Sequence, residues 1–136
     1  MAAPIPEGFF KAPIDMPFTD MVGPIYYRPS EENLHVGFAA DERHLNPGGV
    51  IHGGMLMTVA DDLMGATVYR VVGAQPMATV SLNCDFLSAV RPGDWVHGIG
   101  DITRRTRSMV FVRSVLSVED RPVLSAAGIM KLIERE

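Results

Sequence analysis

The sequence predicts an α+β domain in which one long apolar helix lies against an antiparallel sheet that curves around it. Three observations carry this. One segment, from His52 or Gly53 to about Val71, places Met55, Leu56, Val59, Ala60, Leu63, Met64, Thr67 and Val68 on one broad helical face. After Gly73 the apolar period changes from helical to two, the mark of strands with one buried side. The connectors between those later segments are short and carry turn chemistry. With 136 residues, 47% of them apolar, the chain has enough material for one core and too little for two ordinary domains.

Taken in order, residues 1–20 carry Pro4, Pro6, Pro13 and Pro17, which predict an irregular arm ahead of a domain spanning 21–136. The arm's Phe9, Phe10, Ile14 and Phe18 can still pack on that domain. Ile25 to Arg28 and Asn33 to Ala40 read as two strands, joined by Pro29-Ser30-Glu31-Glu32 as a hairpin turn. A loop from Asp41 to Ile51 follows, punctuated by Asn46-Pro47-Gly48-Gly49. The helix comes next, and its second face is unusual: it mixes Met57, Gly65 and Ala66 with the acids Asp61 and Asp62, so the helix is expected to be covered on most sides. From Thr79 to Phe86, Val80, Leu82, Cys84 and Phe86 take one face and Thr79, Ser81, Asn83 and Asp85 the other, as expected of a strand with one buried side. Further strands are expected from Asp94 to Ile102, Ser108 to Val118 and Val123 to Leu132. Arg91-Pro92-Gly93, Thr103 to Arg107 and Glu119-Asp120-Arg121-Pro122 link them as a meander.

Charge and composition remove several classes of function. A formal net charge of −4, with acids and bases interspersed, offers no electrostatic footprint for nucleic acid. The segment Met1-Ala2-Ala3-Pro4-Ile5-Pro6-Glu7 lacks the basic and apolar regions of a secretory signal, and no apolar run approaches the roughly 20 residues of a membrane span. A lone cysteine, Cys84, suits a reducing compartment, so a cytoplasmic protein is expected. His35, His44 and His97 form no ligand spacing with Cys84 or with one another, so a zinc site is not expected.

The chemistry concentrates in His44-Leu45-Asn46-Pro47-Gly48-Gly49-Val50-Ile51-His52-Gly53-Gly54, with Asp61 nine residues after His52. This loop delivers glycine amides to a helix start, where backbone N–H groups lack intrahelical partners and the helix dipole favours negative charge. The Gly53 N–H is therefore a candidate donor to a developing oxyanion, since glycine leaves room for a carbonyl to approach. The Asn46 side chain either polarises the same carbonyl or fixes the loop. Asp61 is a carboxylate on an otherwise covered helix, which calls for hydrogen-bond partners, a raised pKa or a cleft open to water; alternatively Asp61 and Asp62 simply meet solvent. A histidine at His52 either acts as a base or orients the loop. Eight residues of helix put Gly53 and Asp61 about 12 Å apart, too far to meet at one carbonyl carbon. A partner helix running antiparallel across a two-fold axis would bring Asp61 of one chain to Gly53 of the other, giving a site shared between subunits.

Asn46, Gly49, His52-Gly53-Gly54 and Asp61, followed by Thr79-Val80-Ser81-Leu82-Asn83, Phe86-Leu87 and Arg91-Pro92-Gly93-Asp94, resemble the pattern of phenylacetate-type hotdog acyl-CoA thioesterases from about Asn33 onward. The resemblance implies the hotdog fold, a homodimer at least and a homotetramer of two dimers. It also implies hydrolysis of an acyl-CoA thioester to a free acid and CoA, without a metal or redox cofactor. In its terms Asp61 is the nucleophile or general base, Gly53 and Asn46 polarise the carbonyl, Gly54 belongs to the substrate-binding turn, and Thr79 assists the attacking water. Asp62 receives no role. Arg104, Arg105 and Arg107, the densest basic cluster, either grip the CoA phosphates through their planar forks or are solvated turn residues. Met55, Met57 and Met64 either line an acyl tunnel or pack the core. Two other outcomes stay open on the same pattern, a hotdog enoyl-CoA hydratase and a module that binds acyl-CoA without cleaving it. The acyl group, aryl or fatty, is left open.

Overall fold

A computed structural model describes residues 3–134; the readings made on Met1, Ala2, Arg135 and Glu136 lie outside them. Its centre is α2 (Gly53–Val72), which presents to the core the eight side chains that the spacing selects, from Met55 to Val68. His52 caps the start, its Nδ1 accepting from the Gly54 N–H at 2.8 Å. Gly73 ends the helix at φ 76°, a left-handed turn that glycine takes without strain, and its N–H donates to the Tyr69 carbonyl.

Seven antiparallel strands wrap the helix: β1 (Phe10–Lys11), β2 (Ile25–Pro29), β3 (Leu34–Ala39), β4 (Met77–Phe86), β5 (Trp95–Arg105), β6 (Met109–Val118) and β7 (Arg121–Leu132). Their spatial order is β1-β2-β3-β5-β6-β7-β4. This is the hotdog arrangement, and its core joins Val36, Phe38, Val59, Leu63, Leu116 and Leu124, all fully buried. A buried Leu or Val contributes about 1.5–3 kcal/mol relative to an exposed one, and the α2 face shares that burial with the strands that wrap it. Glycines let the helix settle close on the sheet. A Cβ on Gly100 would lie 2.6 Å from the Thr67 hydroxyl, and one on Gly128 would collide with Met64.

Three local expectations need correction. The meander holds for β5, β6 and β7, but β4 crosses to the far edge and pairs with β7, from Met77↔Leu132 to Phe86↔Leu124. Alternation tells which side of a strand is buried and says nothing of its neighbour. Within β4 the ladder skips Val80 between Thr79 and Ser81. This bulge turns Val80 outward, 53% exposed, and reverses the parity of the residues before it. Thr79 therefore shares the helix side of the sheet with Leu82 and Cys84. Thr103 to Arg105, expected in a link, continue β5 through a second irregularity between Ile102 and Arg104.

The arm also takes regular structure at two points. β1 pairs with β2 through Phe10↔Tyr27 and Lys11↔Tyr26, and α1 (Pro17–Val22) starts on Pro17, at a position where a missing N–H costs nothing. Arg43 donates to the carbonyls of Met21 and Gly23, and the buried His44 ring meets the Val22 carbonyl, so α1 is fastened at its end. Among the described residues no helix is long and apolar enough to cross a membrane.

Candidate active site

Asp61 projects from the middle of α2 into a cleft of about 790 Å³. The Thr79 hydroxyl, brought to this side by the β4 bulge, donates to Asp61 Oδ1 at 2.8 Å. One carboxylate oxygen is thereby held, and Asp61 lines the cleft. The walls are mostly apolar: Tyr27, Ala66, Met77 and Met130 from the domain, with Phe10 and Ile14 from the arm.

Asp62 opens into the same cleft in a different setting. Burial pushes its carboxyl up, the Thr19 hydroxyl of α1 donating at 2.8 Å opposes that, and the neighbouring Asp61 charge adds to the rise. Tyr27 beneath it has its phenol raised well above the usual range, first by burial and then by the Asp62 and Asp20 charges. Cys84 on β4 is raised by burial and by the charges of Asp85 and Asp61.

Gly53 sits in a second, smaller cleft of about 350 Å³ with Asn46, Val50, Leu56, Phe86 and Leu87. Among the described residues none accepts from the Gly53 N–H, the first amide of the helix. Phe86 lies 3.0 Å from where a Cβ on Gly53 would stand. Of the two readings of Asn46, its Oδ1 serves the loop, accepting from the N–H groups of Gly48 at 2.9 Å and Val50 at 3.2 Å. His52 likewise uses Nδ1 on the Gly54 amide, so its ring proton lies on Nε2.

The structure thus brings together Asp61 and Thr79 in one place, and Gly53 and Asn46 in another. His52, Gly54, Arg104, Arg105 and Arg107 line neither cleft. Arg107 is exposed beside an equally exposed Glu134 at 3.8 Å. Met55 and Met64 are core residues. His44 is structural, its Nδ1 accepting from the Asp41 N–H, and His35 and His97 form a 2.7 Å pair on the outer side of β3 and β5. Thr19, Phe86 and Gly65 were not singled out as site residues by spacing: Thr19 is distant in sequence from Asp62, and a mid-helix glycine reads as a flaw until its surroundings are seen.

Comparison with known proteins bears on this geometry. The family model of the thioesterase superfamily matches residues 48–125, which hold Gly53, Asp61 and Thr79. The chain is 36% identical over 130 residues, 94% of its own length and 97% of the relative's, to PA0474, a candidate esterase of Pseudomonas aeruginosa. Among solved structures, the Bacillus halodurans protein BH2602, crystallised with CoA, superposes with a TM-score of 0.83 at 18% identity, covering 92% of this chain and 83% of that one. The Escherichia coli PaaI protein of the phenylacetic acid degradation operon gives 0.80 at 16% identity, covering 88% and 86%.

Proposed function

Since the chain belongs to the thioesterase superfamily and is a thioester hydrolase, we propose that it cleaves an acyl-CoA thioester to a carboxylic acid and CoA at a site shared by two subunits. The observation that carries this is the split of the site: an oriented carboxylate in one cleft and an unpartnered helix-start amide in another. Eight residues of rise separate them by about 12 Å along one helix, so neither half is complete within a protomer.

The edge of the sheet supplies a way to complete it. β4 pairs with β7 on one side only, and Val80, Phe86 and Leu87 along it are more than half exposed. A long strand edge with free N–H and C=O groups favours pairing. Two copies joined along β4 about a two-fold axis would set their α2 helices antiparallel, bringing Asp61 toward the partner subunit's Gly53. Two equivalent sites follow. By resemblance, two such dimers form a homotetramer, in the cytoplasm.

In this site the thioester carbonyl accepts from the Gly53 N–H, with the α2 dipole behind it. Asp61, one oxygen held by Thr79, takes a proton from water through the other while that water attacks the carbonyl carbon. The tetrahedral oxyanion is held by the Gly53 amide and collapses by breaking the C–S bond, and the expelled thiolate takes the proton back from Asp61 to leave as CoA. Asn46 contributes by holding the glycine loop in place. Arg104, Arg105 and Arg107 are the proposed phosphate contacts of CoA. That BH2602 was crystallised with CoA on the same fold supports the choice of thiol.

Thiol release from a panel of aryl and fatty acyl-CoA substrates tests the proposal. Asp61→Asn should lower kcat by about 10²–10⁴ while the protein stays folded. Undiminished turnover in that variant would remove Asp61 from the mechanism. Hydration of an enoyl-CoA with no thiol release would replace hydrolysis with water addition.

A further inference from the structure

The chain's glycines have visible reasons, with one exception. Gly8, Gly49, Gly73 and Gly93 take positive φ. The rest bring an added Cβ within 4 Å of a neighbour, as Gly98 does against Leu63 and Gly53 against Phe86. Among the described residues Gly65 alone has neither property: a Cβ there meets nothing within 4 Å. It lies inside α2, where glycine is the least favourable residue after proline. Neither the backbone nor the packing of the protomer asks for it. What lies over it is the Asp61 cleft, because Gly65 follows Asp61 by one helical turn on the same side.

The opposite wall comes from the arm. Ala12, Pro13, Ile14 and Met16 border the cleft, and the chain is tied on both sides of them. β1 holds one end to β2, and the Thr19 hydroxyl holds α1 to Asp62 at the other. Residues 12–16 are therefore a fixed strap and not a free tail. Beyond Gly65 the cleft reaches Tyr69 and Arg70, where the Arg70 guanidinium is bonded to the carbonyls of Ser30 and Glu31. An apolar group extending that far meets a polar end.

We infer that the bare floor at Gly65 and the strap of residues 12–16 form the acyl-group subsite and select an apolar acyl group of medium length, or an aryl-acyl group, over a long fatty chain. This rests on the thioesterase reading of Asp61. Eight residues from Asp61 to Tyr69 span about 12 Å of helix. A staggered chain of ~1.5 Å bonds advances roughly 1.25 Å per bond, so about ten carbons fill that distance.

The test is kcat/KM for butyryl-, octanoyl-, palmitoyl- and phenylacetyl-CoA with the native protein, Gly65→Ala, Gly65→Leu and Ile14→Ala. The native protein should favour octanoyl- and phenylacetyl-CoA over palmitoyl-CoA. Gly65→Leu should lower the octanoyl-to-butyryl ratio at least tenfold and Gly65→Ala by less. Both should raise Tm, because each replaces glycine by a better helix former, which separates a filled subsite from a damaged fold. Ile14→Ala should relax the discrimination against palmitoyl-CoA. Unchanged ratios would overturn the inference, as would dissociation of the oligomer by Gly65→Leu at constant ratio, which would assign the space to a partner helix. Should the native protein hydrolyse none of the four, the thioesterase reading fails separately. The affinities of the same esters for the same variants then decide the subsite, a loss in Gly65→Leu confined to the longer acyl groups supporting it and an equal affinity throughout overturning it.

Discussion

Asp61 and Asp62 are neighbours on one helix, yet each is held by a different threonine: Thr79 from the sheet for the first, Thr19 from the arm for the second. The Asp62 carboxyl is raised by burial, so the native state keeps its proton to higher pH than the unfolded chain, where an aspartate titrates near 3.9. This group's contribution to stability is most favourable below that value, falls as pH rises through the window up to the native pKa, and is flat above. Asp62→Asn removes the fall and keeps an acceptor for Thr19. Thermal melts should therefore show the variant gaining on the native protein between pH 4 and pH 7; an equal difference at both pH values would mean that burial does not raise the Asp62 carboxyl. At this scale, the places of Gly53 at the helix start and of Asp61 within α2 were legible, because the helical period fixes both. The Thr19 partner of Asp62 was not, since it comes from a segment 43 residues away. That Thr79 shares a face with Leu82 and Cys84 was not legible, because a one-residue bulge at Val80 leaves no mark in an alternating pattern.

At the scale of elements, the start of the arm is held from outside the sheet. The Phe9 ring packs edge-on against Trp95 at 5.1 Å and His97 at 5.8 Å, with the Arg28 guanidinium over it at 4.7 Å. His97 also meets His35 at 2.7 Å, a contact that requires at least one of the rings to be neutral. Burial lowers both imidazoles, with the Arg28 charge acting on each and the His35 charge also on His97. An unfolded histidine titrates near 6.5, so the stability these rings contribute is full above that pH and is lost as pH falls through it toward their native values. Melts at pH 7.5 and 5.5 should show a drop in Tm that shrinks in His35→Gln/His97→Gln. An undiminished drop would place the acid sensitivity elsewhere. The helix and every long strand were legible in outline, since their side chains alternate in the two elementary periods. The crossing of β4 to the sheet edge was not, because register partners are set by the curvature of the whole sheet around α2.

For the whole molecule, a single helix carries Asp61 and the Gly53 N–H about 12 Å apart, and the proposed function joins them between two chains along the free edge of β4. The helix length made that separation legible from sequence, while the way two chains join has no signature in composition or period. Mixing two inactive variants tests it most directly. Asp61→Asn removes the acid. Gly53→Pro removes the donor N–H at the first helical position, where proline is favoured and where His52 before it, at φ −57° and ψ 132°, already has the conformation that precedes proline. Each variant alone should release almost no thiol. Co-refolded in equal amounts, half of the dimers carry one lesion of each kind, and one of their two sites pairs an intact Asp61 with an intact Gly53, restoring about one quarter of native activity. If the mixture stays as inactive as its components although mixed dimers have formed, Asp61 and Gly53 act within one chain and the shared site is wrong.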